Sequence, residues 1–298
     1  VNYGEQGKNY LVFLLIGLLI PSLYVVLKEL LKNKIVHKND VMKVSPFPYL
    51  GSVRHMEDTD TFYVQKRPKS SFAESFRAIR TRIEFIAQRQ SPIKILVTST
   101  ESDDGKSTFS FNMAAMYALT GRKTILIDLD LRKPSIGKTL SISNPYGISN
   151  YIIGQVELKD IIIKDKNRKY DVMLAGTVPP NPGELVRSDK LKSMFAELSK
   201  EYDHIVIDSS PIGLVADAYP LSALVDVTMY IVRSDKTNKK FFANIINQLY
   251  EDKIPNMYVI LNDLDEKKMR YIYSYNEYRN YSYYSADLTA ESKEYFED

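Results

Sequence analysis

The stretch TESDDGKST, residues 100–108, lies between an apolar run and a helical stretch. Strand, loop, Gly-Lys-Ser and helix make the pattern of a P-loop, because successive backbone N–H groups and a helix N-terminus form an anion cradle. On that pattern Lys106 reaches the β- and γ-phosphates of a nucleotide and Ser107 holds Mg²⁺. Ser102, Asp103, Asp104, Gly105 and Thr108 complete the expected nucleotide-binding loop. Thr100 stands where the general pattern has its first glycine, and Asp103 and Asp104 put negative charge beside a phosphate site. A second motif, ILIDLDLRKP at 125–134, ends its apolar run with Asp128 and Asp130, whose spacing of two puts both carboxylates on one face of an extended segment. The third, HIVIDSSP at 204–211, ends in Asp208, which reads as a Walker B carboxylate acting on Mg²⁺ through water. Ligands of open α/β sheets sit at the carboxyl ends of strands, where all three motifs fall, so together they predict a nucleotide with Mg²⁺ as ligand.

The elements that must position these residues are short and β-rich: IKILVTS, KTILIDLD, YDVMLAG, HIVIDSS, VTMYIVR and MYVILND. Each run is nearly continuous rather than alternating, as expected of strands covered by helices on both faces. Six runs with helical stretches between most of them predict an α/β fold: a doubly wound, mainly parallel P-loop NTPase domain over residues 70–265. It opens with SSFAESFRAIRTRIEFIAQ, where Ser71 and Glu74 have capping-box spacing and Phe72, Phe76, Ile79, Ile83 and Phe85 form an apolar stripe. Residues 34–69 read as a juxtamembrane linker that docks locally.

Upstream, the nineteen residues between Lys8 and Lys28 carry no charge, enough helix to span the roughly 30 Å hydrocarbon core of a bilayer. One transmembrane helix over 10–33 is predicted, with Pro21 in its middle. Lys28, Lys32, Lys34, Lys38 and Lys43 follow it against Lys8 alone before it, which places residues beyond 28 in the cytoplasm and leaves 1–9 as an outer-side remnant. The chain begins with Val1, which suggests the C-terminal piece of something longer. It has no cysteine and three scattered histidines, so a disulfide scaffold, a zinc-thiolate site, a cysteine nucleophile and a histidine metal site are all disfavoured. A net charge of +3 implies no chain-wide attraction to nucleic acid.

Near the end, YIYSYNEYRNYSYY at 271–284 holds seven tyrosines in fourteen positions. No Ile, Leu or Val accompanies the rings after Ile272, and the final ESKEYFED is charged, so 266–298 read as a flexible, solvated tail.

With ESFRAIR, the P-loop, ILIDLDLRKP, PPNPGEL at 179–185, VIDSSPIGLVADA at 205–217 and the tyrosine tail, nearly the whole chain resembles the bacterial tyrosine kinases that control capsule and exopolysaccharide export. It looks like the single-chain form, in which a polysaccharide co-polymerase region precedes the kinase. The resemblance implies that Lys106, Ser107 and their loop bind ATP and Mg²⁺. It also implies that Asp128, Asp130 and Asp208 share metal binding and activation of a tyrosine hydroxyl. It makes Tyr271, Tyr273, Tyr275, Tyr278, Tyr281, Tyr283 and Tyr284, with Tyr295 as a further candidate, the phosphoacceptors. Glu74, Arg77 and Arg80 become contacts that join subunits into a ring, an octamer by the family's form. Implied partners are a polysaccharide polymerisation and export system, a counteracting tyrosine phosphatase and the bacterial inner membrane. One departure is Asp103, where many members carry glycine. The rival readings are a partition- or division-type switch ATPase, which usually has a lysine where this chain has Glu101, and a nucleotide-binding scaffold without turnover.

Overall fold

The structure, a computed structural model, describes residues 13–14, 17–23, 33–56, 63–88, 91–165 and 168–265. Most of the predicted membrane span lies outside these; its residues 13–14 and 17–23 are helical and exposed. Among the described residues no helix is long and apolar enough to cross a membrane. The tyrosine-rich segment lies wholly outside the described residues.

In chain order the elements are α1 (Lys38–Val44), β1 (Tyr49–Arg54), α2 (Tyr63–Lys66), α3 (Ser71–Ile86), β2 (Ile93–Ser99), α4 (Lys106–Ala118) and β3 (Thr124–Leu129). There follow α5 (Ile136–Leu140), α6 (Ile148–Ile152), α7 (Leu158–Ile161), β4 (Ile162–Ile163), β5 (Asp171–Met173), α8 (Pro182–Val186) and α9 (Asp189–Leu198). The last are β6 (His204–Ser209), α10 (Ala218–Ser222), β7 (Val227–Arg233), α11 (Lys239–Glu251) and β8 (Met257–Leu264). The strands form one sheet of order β1-β8-β7-β2-β6-β3-β5-β4. Every pairing is parallel except that of β4 with β5.

All six predicted runs are strands, and their continuous apolarity has the expected cause. Ile95 and Val97 of β2 face a layer that includes Phe76 and Ile79 of α3 and Phe109 and Met113 of α4. Leu96, Ile205 and Ile207 join the opposite layer, with Leu191, Met194 and Phe195 of α9. Tyr230 and Val259 meet Phe242 and Ile246 of α11. Strands buried on both faces cannot alternate with polar residues.

Three details differ from the sequence reading. The cap of α3 is Ser70, whose side chain accepts from the Ala73 N–H, so Ser71 is already inside the helix and no box with Glu74 forms. Phe72, Phe76, Ile79 and Ile83 are buried, whereas Phe85 is 84% exposed, because it falls two positions after Ile83 and so off the stripe. Within the segment read as a linker, α1 and β1 fold into the domain, and β1 pairs parallel with β8 at the sheet edge.

Phe76, ringed by Phe72 at 5.1 Å and Phe109 at 5.2 Å, ties α3 to α4. Phe76→Ala is expected to cost roughly 3–5 kcal/mol in urea unfolding. Phe85→Ala should stay within about 0.5 kcal/mol of the parent, and a comparable loss there would show that Phe85 is covered in solution.

Candidate functional site

The sheet sets the site. β2, β6 and β3 are neighbours, and the register pairs Asp208 with Val97 on one side and Asp128 on the other. The three motifs therefore leave the sheet side by side at its carboxyl edge. The loop after β2 turns into α4 through Gly105, which caps the helix at φ 90°. A Cβ there would lie 2.1 Å from the Asn262 side-chain nitrogen, so both conformation and space call for glycine. Asp103 also has a positive φ, 63°, adopting the left-handed backbone that a glycine would take more easily.

Lys106, the first residue of α4, is buried and places its Nζ 3.0 Å from Asp130 Oδ2 and 3.5 Å from Asp208 Oδ2. Ser107 Oγ donates to Asp208 Oδ2 at 2.6 Å, and Ser110 Oγ donates to Asp208 Oδ1 at 3.1 Å. Asp128 accepts backbone N–H bonds from Ile136 and Asp130 at 3.1 and 3.3 Å. Asp130 Oδ1 accepts from the Ser210 hydroxyl and the Lys133 N–H. Burial, helped by the nearby Asp208 charge, pushes the Asp128 carboxyl up to about 8. Burial raises Asp208 as well, against the pull of Lys106. Desolvation disfavours the Lys106 ammonium, but Asp208 and Asp130 more than offset it and leave its pKa above the ordinary lysine value.

Above this cluster opens a cleft of ≈ 500 Å³, whose lining includes Lys106, Lys133, Lys138 and Arg233 against the carboxylates of Asp103 and Asp130. Ser102, Gly105, Ser107 and Thr108 also line it. Excess positive charge, a helix N-terminus and a hydroxyl bonded to a buried carboxylate fit a Mg²⁺–nucleotide. Among the described residues no three His, Cys, Asp or Glu side chains group closely enough to hold an ion. A cation at Ser107 and Asp208 would thus complete its shell from phosphate and water, as Mg²⁺ commonly does. Asp128 and Asp208, both predicted as ligands, are 1% and 0% exposed and neither lines the cleft; Asp208 is joined to it through Ser107, whose hydroxyl does line it.

The structure also assembles a support that no motif announced. Asp104, fully buried, accepts from the Glu101 N–H and the Thr237 hydroxyl, both at 2.9 Å. Asn262 donates to the Asp104 carbonyl, Arg233 to that of Asp103 and Lys236 to that of Ser102. Arg132, in the second motif, is engaged away from the phosphates: its guanidinium binds both oxygens of Asp217 at 2.6 and 3.1 Å. The predicted subunit contacts divide. Glu74 and Arg77 pair with each other on the exposed side of α3, and Arg77 also donates to the Pro68 carbonyl. Arg80 turns inward and donates to the Met116 carbonyl near the end of α4.

The family model described as AAA domain matches residues 93–253. The tyrosine-protein kinase YwqD of Bacillus subtilis is 33% identical over 195 residues, covering 65% of this chain and 82% of that protein. Among solved structures, the chimerical protein CapA2B2 superposes with a TM-score of 0.71 at 30% identity, covering 77% of this chain and 100% of that one. The kinase domain of the Escherichia coli tyrosine kinase ETK gives 0.69 at 25% identity, covering 73% of this chain and 90% of that one.

The Asp104 carboxyl, raised by burial from 3.8 to about 6, gives a pH signature. The folded state holds this proton where the unfolded state has lost it, so ionisation subtracts stability as pH rises from about 4 to about 6. Asp104→Asn should therefore raise the melting temperature at about pH 7.5 and lose that advantage as pH approaches about 4. A variant equally destabilised across that range would show that the ionised carboxylate is needed for its bonds.

Proposed function

The chain belongs to the family of bacterial tyrosine kinases of capsule and exopolysaccharide systems, and on that premise we propose that it transfers the γ-phosphoryl group of ATP to tyrosines of its own C-terminal tail. The observation that carries this reading is the convergence of Lys106 and Ser107 on Asp130 and Asp208 beneath a cationic cleft. Lys106 and the N–H groups of residues 105–108 hold the triphosphate, and Ser107 with Asp208 holds Mg²⁺. When bound, that ion screens charge on the phosphates.

In the transfer, the tyrosine oxygen forms a bond to the γ-phosphorus, the bond to the β–γ bridging oxygen breaks, and ADP leaves. The phenolic proton must go to a base. Of the three motif carboxylates only Asp130 lines the cleft, so we assign it that role. Asp128 holds the turn into α5 through the Ile136 N–H. A phenol near its ordinary pKa of about 10 needs only modest help, and most of the rate would come from positioning and charge neutralisation.

The acceptors proposed are the tyrosines between 271 and 284. Each phosphate adds about −1.5 to −2 charges, which would drive a tail out of a neighbour's site. Ring assembly through Glu74, Arg77 and Arg80, a membrane span over 10–33 with the kinase domain cytoplasmic, an export system as the regulated partner and an opposing phosphatase complete the reading.

Incubation with Mg²⁺ and ATP followed by mass spectrometry should place phosphate on the 271–284 cluster, with none in Lys106→Met. Asp130→Asn should lower transfer by about 10²–10⁴-fold while leaving nucleotide affinity within a few-fold. ATP hydrolysis with unmodified tyrosines would instead identify a switch ATPase. Mixing Lys106→Met chains with active chains that lack the tail tests transfer between subunits: phosphate should appear on the inactive chain. Because Arg80 also braces α4, the ring is better probed at Glu74 and Arg77, whose joint replacement by Ala should reduce the native mass of the assembly.

A further inference from the structure

The short helix α1 is two-faced. Val41, with Ile35 just before the helix, is fully buried in the layer that holds Phe242, Val259 and Leu261. Its other side exposes Lys38, Asn39, Met42 and Lys43, and Lys34 is exposed just upstream. The helix has one carboxylate, Asp40, and this is already taken: it accepts from the N–H groups of Val36 and His37 and pairs with Lys239 Nζ at 2.7 Å. The outer face of α1 is thus cationic around one apolar side chain, Met42, which is 60% exposed. Acidic Glu251 and Asp252 lie at the far end of α11, next to Tyr250 in sequence, and are exposed.

We infer that this face, Lys34, Lys38, Lys43 and Met42, lies on the anionic surface of a lipid bilayer and seats the catalytic domain against it. The inference rests on the membrane-span reading for its geometry. The uncharged stretch ends at Leu27, seven residues before Lys34, a reach of at most ~25 Å even fully extended. The tether therefore holds α1 beside headgroups at high effective concentration. Clusters of lysines at that position draw to anionic lipid, and the attraction fades beyond about 10 Å at ordinary salt. A protein partner of acidic surface would match the charge but would not account for the placement of the patch directly after the span.

The absence of cysteine from the chain makes the test clean. Met42→Cys, on an exposed position, carries a single environment-sensitive fluorophore in the full chain reconstituted into vesicles. With phosphatidylglycerol in the bilayer, emission should shift to the blue, and should not with phosphatidylcholine alone. About 0.5 M salt, or Lys34→Glu with Lys38→Glu and Lys43→Glu, should abolish the shift. A label at Tyr146→Cys, exposed in the loop before α6, should not respond. Equal emission in both lipids, an equal response at position 146, or a shift produced only by a soluble acidic peptide would overturn the docking. Extraction of the chain by alkaline carbonate would overturn the span alone, since the fluorescence comparison reads the docking independently.

Discussion

The structure depends on how three carboxylates and one ammonium are kept together out of water. Asp128, Asp130, Asp208 and Lys106 are 1, 4, 0 and 7% exposed. Isolated buried charges are costly, and one lysine cannot neutralise three acids. The chain answers with fixed dipoles and protons. Backbone N–H groups hold Asp128, two hydroxyls hold Asp208, and the ammonium leans on Asp130. The remaining negative charge is relieved by the raised Asp128 carboxyl, at about 8, which keeps its proton at neutral pH. A divalent cation beside Asp208 would supply the same relief, so the site is electrostatically incomplete in the sense that suits it to Mg²⁺. Phosphate, in turn, offers Lys106 a partner that the carboxylates now occupy.

Such a cluster can form only if strands deliver it. Asp128 and Asp208 face each other across the β3–β6 register, and β2 brings the phosphate loop up on the other side of β6. Parallel strands connected by crossovers send every carboxyl end to the same edge, so residues far apart in sequence meet without any long loop. The fully buried runs behind them hold β2, β6 and β3 rigidly, which fixes the relative placement of lysine and carboxylates before a ligand arrives.

Much of this was legible because its signals are local. A strand covered on both faces must be an apolar run, and a P-loop must have its glycine, lysine and hydroxyl in succession, so the six strands and Lys106, Ser107 and Asp208 could be read directly. The edge strand β1 could not: YLGSVR contains Gly51 and ends in an exposed arginine, since a strand at the edge needs no continuous apolarity. Two-residue β4 is too short to leave a pattern. Capping-box spacing pointed to Ser71, three residues before Glu74, and the backbone geometry instead makes Ser70 the cap. Arg80, implied by the resemblance as a subunit contact with Glu74 and Arg77, stands six residues from Glu74, far enough around α3 to reach α4.

The support of the phosphate loop was illegible for a different reason. Thr237 and Asn262 stand 133 and 158 residues from Asp104, and neither belongs to a motif. Their importance lies in what they border. The loop between β7 and α11 that supplies Thr237 and Lys236 is itself bonded to the start of the domain. Ile35 N–H donates to the Thr237 carbonyl, Asp235 N–H to that of Ile35, and Ser234 Oγ to that of Val36. The phosphate loop is thus held from outside by a segment whose own shape depends on residues 35–36. The point where the chain enters the domain and the point where phosphate would bind share one hydrogen-bonded frame, and the bonds that anchor the former also set the conformation of the latter.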